Sequence, residues 1–122
     1  RLFDFFHPDG DLELAPGRAV LTIGALEQTG LAFHAFLDYL VAQRPALCVN
    51  IEPIYEWHDN DDDLDRAARR FLEVRNYWQG FPQALEARQA AGAVEILKTK
   101  RSFFGSLYIE GYSQTIWRSQ AD

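Results

Sequence analysis

Apolar residues fall along this chain in two kinds of run, continuous and helically spaced, and their alternation predicts the elements. Val20 to Gly24 is short, β-rich and free of polar alternation, the pattern of a strand covered on both faces. Phe33, Phe36, Leu37, Leu40 and Val41 then recur at helical spacing, which predicts a helix over Leu31–Gln43 with Pro45 ending it. His34 and Asp38 fall on the opposite, polar face, spaced as an ion pair. Leu47 to Ile51 is a second continuous apolar strand, stopped by Glu52-Pro53. Two such strands joined by an amphipathic helix make a parallel βαβ unit with a right-handed crossover.

The acids from Asp59 to Asp63 open a second helical pattern, with Leu64, Ala67, Ala68, Phe71, Leu72 and Tyr77 or Trp78 on one face. Carboxylates suit that position because a helix N-terminus carries unpaired N–H groups and partial positive charge. Gly80-Phe81-Pro82 kinks or restarts the helix, and Gly92 stops it. Two strands follow, roughly Val94–Thr99 and Leu107–Trp117, joined through Phe103-Phe104-Gly105-Ser106; so short a connection implies an antiparallel pair. Gly111 inside the last strand marks a bulge. Before the first strand, residues 7–18 carry His-Pro, Asp-Gly and Pro-Gly turn signals and read as loop. The order is β-α-β-α-β-β, an open α/β sheet whose parallel half ends in an antiparallel hairpin.

Composition narrows the partners. With 122 residues, 48% of them hydrophobic, the chain builds one domain with a real core. A net charge of −6 speaks against a nucleic-acid partner, and Lys98, Lys100 and Arg101, close to Glu95, read as a solvated strand end. Cys48 is the single cysteine, inside an apolar run, which leaves no intrachain disulfide and no thiolate zinc site. No segment is apolar enough to span a membrane and no signal pattern opens the chain, so a cytoplasmic location is the expectation. The start at Arg1, the absence of Met and the apolar opening Leu2-Phe3-Asp4-Phe5-Phe6 lead to the expectation of a fragment of a longer protein.

Candidate chemistry gathers at the strand ends. In open α/β sheets ligands sit in the crevice outside the carboxyl ends of the strands. Glu27-Gln28 and Glu52-Pro53 each follow a buried strand and point to one crevice, read either as a ligand site or as helix caps. His58 sits near the same end and is a candidate general base or a loop histidine of no consequence. His7, His34 and His58 share no metal-ligand spacing. Asp59, Asp61 and Asp63 begin like a calcium loop, but Leu64 and Arg70 stand where that loop needs Gly and Glu, so no metal is expected. Trp57, Trp78, Trp117, Tyr108 and Tyr112 are either pocket walls or core.

The series "FDFFHPD", "AVLTIGALEQTG", "CVNIEPIYEWHD" and "RSFFGSLYIEGYSQTIWR" resembles the C-terminal half of class I S-adenosylmethionine-dependent methyltransferases, bacterial members among them, over essentially the whole chain. The resemblance implies a Rossmann-like half-sheet with helices on it, in which the last strand inserts antiparallel. It places Phe3-Asp4-Phe5 at the close of a strand, Asp4 and Phe5 beside the adenine, and Gly24, Ala25 and Leu26 near the methionine part of the cofactor. Glu27 and Gln28, with Glu52, Tyr55 and His58, then face a small-molecule methyl acceptor. The glycine-rich loop and the ribose-holding acid of that family are absent, so these residues alone are expected to bind the cofactor poorly. The open strand edge near Val20 is expected to favour partner strands or a homo-oligomer. Two alternatives stand beside the enzyme: a non-catalytic α/β binding or dimerisation module, and a small-ligand α+β domain with a cavity lined by Trp57, Tyr108 and Trp117.

Overall fold

A computed structural model of the chain describes residues 2–59, 61–105 and 110–120. Its elements are β1 (Ala19–Ile23), α1 (His34–Gln43), β2 (Leu47–Ile51), α2 (Asp63–Val74), α3 (Phe81–Ala90), β3 (Val94–Lys100) and β4 (Gln114–Ser119), with 3-10 turns at Leu26–Thr29 and Tyr55–Trp57. The sheet order is β1-β2-β4-β3. β1 and β2 pair parallel, Ala19 opposite Leu47 through Ile23 opposite Ile51, while β4 is antiparallel to both β2 and β3. The described residues therefore form a small α/β fold with a four-stranded mixed open sheet and three α-helices.

One face of the sheet carries the core. Cys48, Val94 and Trp117 are buried there against Phe33, Phe36, Leu37 and Leu40 from α1 and its entry, and Phe81 and Leu85 of α3. Burial pushes the Cys48 thiol up to about 12, so it behaves as a small hydrophobe. Inside this apolar layer Asn50 joins three strands. Its amide nitrogen donates to Thr22 Oγ1 at 2.8 Å, and its oxygen accepts from the Trp117 indole at 2.9 Å. Each buried polar group is thereby satisfied, and the register of β1, β2 and β4 is specified.

The boundaries of α1 and α3 have local causes. Arg44 takes a left-handed conformation just before Pro45, and its N–H bonds Leu40 O at 3.2 Å, closing α1. Gly80, with φ 88°, precedes Phe81 and Pro82 at the first turn of α3, which separates α3 from α2 as the Gly-Phe-Pro signal predicts. Asp62 caps α2, its side chain accepting from Asp65 N at 3.0 Å.

Several expectations are corrected. β1 is not covered on both faces: it is an edge strand, with Leu21 59% and Ile23 52% exposed. The outer face of the sheet carries the cross-strand row Leu21, Val49 and Ile116. Leu64 is exposed, because the stripe facing inward on α2 is Asp65, Ala68 and Leu72. Phe3 to Phe5 forms no strand; Phe3 and Phe5 pack their rings on Phe36 at 5.7 and 4.7 Å between centroids. The last strand begins at Gln114 rather than Leu107, and Leu107 lies outside the described residues. Gly111 sits in a turn, and the ladder irregularity falls between Ile96 and Lys98. Asp38 pairs with Arg88 of α3 at 2.5 Å while the His34 ring stacks on Phe33, so a tertiary partner displaces the expected helical pair.

Candidate functional site at the carboxyl ends of the parallel strands

Because Ile23 is opposite Ile51, β1 and β2 end at the same level, and Gly24 N donates to Ile51 O at 3.0 Å. Gly24 then turns the chain with φ 55°, a conformation that favours a residue without Cβ. The turn lands over Glu52, whose side chain is fully buried. Its Oε1 accepts from Ala25 N at 3.1 Å and Leu26 N at 2.9 Å, and its Oε2 lies 3.0 Å from Ala25 N. One acid at the strand ends thus caps the 3-10 turn that follows the neighbouring strand. The two roles left open for the acidic pairs are divided: Glu52 caps, and Glu27 lines a cleft.

The cleft measures about 550 Å³ and is walled by Ile23, Gly24, Glu27, Pro53, Tyr77, Phe104, Gly105, Gly111 and Tyr112. Trp78 holds both strand-end segments at once. Its backbone N–H donates to Glu27 O at 2.7 Å and its indole N–H to Pro53 O at 2.6 Å. Phe104 and Tyr112 stand with ring centroids 5.4 Å apart on the far wall.

Electrostatically the site is built on two carboxyl groups. Burial, reinforced by the adjoining Glu27 carboxyl, pushes Glu52 up to about 7 against the pull of the Leu26 and Ala25 amides. The neighbouring Glu27 carboxyl thus favours the protonated form of Glu52. Glu27 is 7% exposed, and its buried Oε2 has no hydrogen-bond partner among the described residues. The arrangement sets two buried carboxyl groups beside an aromatic-walled cleft.

The remaining named residues distribute as follows. Ala25 and Leu26 form the turn, Leu26 buried in the core. Gln28 is exposed and does not line the cleft. Tyr55 does not line it either; its hydroxyl donates to Glu73 at 2.6 Å and its ring lies under Arg69. Asp4 is exposed and engaged locally, accepting from Phe6 N at 2.8 Å with His7 at 3.2 Å; those bonds hold its pKa below the ordinary value. Trp117 belongs to the core, Trp57 borders a separate small pocket with Pro82 and Thr115, and Tyr108 lies outside the described residues.

His58 is buried in a second charged cluster. Its Nδ1 lies 3.0 Å from Asp65 Oδ1, and Asp65 Oδ2 accepts from Asp59 N at 2.7 Å. Arg101 donates to Asp65 at 2.6 Å, to Glu110 at 2.7 and 2.8 Å and to the Trp57 carbonyl at 2.8 Å. Burial alone disfavours an ionised Asp65, yet the bonds from Arg101, His58 and the Asp59 amide outweigh it and hold its pKa well below the carboxylate range. His58, Asp65 and Glu110 would bring three ligand atoms together, but the Arg101 guanidinium already occupies both carboxylates as the cation. Arg101 therefore ends β3 as a half-buried tie rather than as part of a solvated basic cluster.

Tyr77 and the Trp78 tie to Glu27 and Pro53 are the site features the sequence pattern did not single out. Their signal is Asn76, a non-glycine residue with φ 53°, which turns the chain after α2 and swings Tyr77 and Trp78 away from the helix face they were expected to continue. No protein-family model, no curated protein and no solved structure matches this chain.

Proposed function

We propose that this chain carries the acceptor side of an S-adenosylmethionine-dependent methyltransferase, with its small-molecule methyl acceptor bound in the cleft at the ends of β1 and β2. One observation carries the reading: the last strand enters antiparallel between β2 and β3, which is the sheet ending that the sequence resemblance implies. The position of the cleft, outside the carboxyl ends of two parallel strands, supports it.

S-adenosylmethionine finds one wall among these residues. Phe5, Ile23 and Ala25 share an apolar groove of about 310 Å³ that meets the cleft at Ile23. Gly24 keeps the backbone bare beside Glu27. The groups that would grip the ribose and the amino-acid end are not in this wall, so Phe5, Gly24 and Ala25 are assigned only contact with one side of the cofactor, while Asp4 and Leu26 line neither the groove nor the cleft. When bound, the cofactor supplies a methyl group activated by its sulfonium. The chain's own residues orient the acceptor and manage its proton. Tyr77, Phe104 and Tyr112 wall the cleft and hold the acceptor's body, Glu52 and Trp78 fix the turn, and Glu27 accepts the acceptor's proton.

Calorimetric titration of S-adenosylhomocysteine into the folded full-length gene product tests the reading, and an absence of binding removes it. In that protein, replacing Glu27 by Ala should lower turnover by roughly 10²-fold with little change in cofactor affinity. Equal losses in both would contradict the acceptor-side role.

A second reading, a non-catalytic module that pairs with its own copy, is favoured by one observation. Leu21, Val49 and Ile116 form an apolar row on the outer sheet face, beside an edge strand whose Leu21 and Ile23 are exposed. Sedimentation equilibrium decides it: Leu21→Lys should turn a dimer into a monomer, and a wild-type monomer would end this reading.

A further inference from the structure

The geometry of the cleft points to its ligand class: we propose that it takes a small molecule bearing a cationic amine, the amine on Glu27 and the apolar body against the aromatic wall. On the methyltransferase reading this names the acceptor as an amine, but the observations that carry it concern the cleft alone.

The first is charge. Glu27 stands beside Glu52, is almost wholly withdrawn from water, and its buried Oε2 has no hydrogen-bond partner among the described residues. A buried charge is tolerated when a partner of opposite sign meets it. Among the described residues the cleft wall contains no Lys, Arg or His. Elsewhere in the molecule the rule is kept: Asp65 and Glu110 are both met by Arg101. The cation for Glu27 is thus left to the ligand.

The second is hydrogen bonding. Glu52 is spent on the Ala25 and Leu26 amides. Glu27 Oε1 lies 3.8 Å from where a Cβ on Gly24 would stand, on the glycine side of the cleft, and a carboxyl oxygen of this kind accepts a hydrogen bond. The ligand must therefore donate, and an ammonium donates while carrying the missing charge. The third is the wall itself. Tyr77, Phe104 and Tyr112 offer ring faces, which attract a cation and cover an apolar body. A carboxylate or phosphate ligand would meet repulsion from the acid pair with no compensating group.

Isothermal titration of the full-length gene product with benzylamine, benzyl alcohol and benzoate separates these chemistries. Benzylamine should bind about tenfold tighter than benzyl alcohol, and benzoate should not bind measurably. Glu27→Gln should bring benzylamine down to the level of benzyl alcohol, and Tyr112→Ala, at a half-exposed position, should weaken benzylamine about threefold. If Glu27→Gln fails to fold by circular dichroism, the three wild-type affinities and Tyr112→Ala decide. Equal affinity for amine and alcohol, or benzylamine binding unchanged in either folded variant, overturns the proposal. Amine binding without binding of S-adenosylhomocysteine would leave the amine cleft standing and remove the methyltransferase reading; the reverse result would do the opposite.

Discussion

Asp65 and Glu52 are two buried acids, each near a second acid, and their environments drive them in opposite directions. Burial disfavours the charged form of both. Asp65 gains a guanidinium, an imidazole and an amide, and stays ionised. Glu52 gains amides but also the carboxyl of Glu27, and holds its proton to about pH 7. The counter-cation, not the depth of burial, makes the difference. A charge balanced from within ties the molecule together: the Asp65 cluster joins α2, the end of β3, and the segments before α2 and before β4. A charge left unbalanced marks a place where something from outside completes the site.

The most damaging way to break this contrast is to remove the balanced acid. Asp65→Ala leaves Arg101 and His58 facing each other without their shared partner, and should cost about 3 kcal/mol of stability in denaturant unfolding.

Next in size is the pH dependence of the unbalanced pair. The native Glu52 keeps a proton that the unfolded chain releases above the ordinary value of 4.5. Its stabilisation is therefore complete below that pH and is lost as pH rises through about 7, a fall of roughly 2–3 kcal/mol. Asp65, with its pKa lowered, has the opposite sign: its contribution is present above the ordinary 3.8 and fades as pH drops below it. Unfolding free energies measured across pH should show both limbs, and Glu52→Gln should flatten the rise-side loss alone. A slope between pH 5 and 7 that survives in Glu52→Gln would assign it to another group.

Trp78→Phe comes third. It keeps the ring stacked on Phe81 but strands the Pro53 carbonyl, and should cost about 1 kcal/mol while weakening benzylamine binding. The smallest effect belongs to the exposed pair: Asp38→Ala should shift stability by no more than about 0.5 kcal/mol, since Asp38 is largely in solvent. A larger loss there would blur the distinction between buried and surface charge.

Element types were legible because each rests on near neighbours. The α1 stripe, the two continuous strands, the acids that open α2 and the Gly-Phe-Pro restart are all local patterns, and the elements they predict are present. Within them, α1 starts at His34 rather than Leu31, β1 runs Ala19–Ile23 rather than from Val20 to Gly24, and Asp62 is the acid that caps α2. Boundaries failed where a distant contact overrides the pattern. Leu64 lost its inward place to Asp65 because Arg101 reaches α2 from the end of β3, and His34 lost Asp38 to Arg88. Of the site, Glu27 and Glu52 could be named from the strand-end rule, but not their different tasks. His58 shares their end of the sequence motif and yet faces another cluster.

By itself, the sequence determined the order of strands and helices, the parallel start, the antiparallel finish and the two acids at the strand ends. Periodicity, capping and turn chemistry act over a few residues and can be read without coordinates. Only the tertiary structure decided that β1 is an exposed edge, that Glu52 is spent on its neighbour's backbone, and that Arg101 neutralises one acid cluster while, among the described residues, no cation lines the cleft beside the other. Those outcomes depend on which distant groups share a low-dielectric space, where the energy of a charge is set by its partners rather than by its place in the chain.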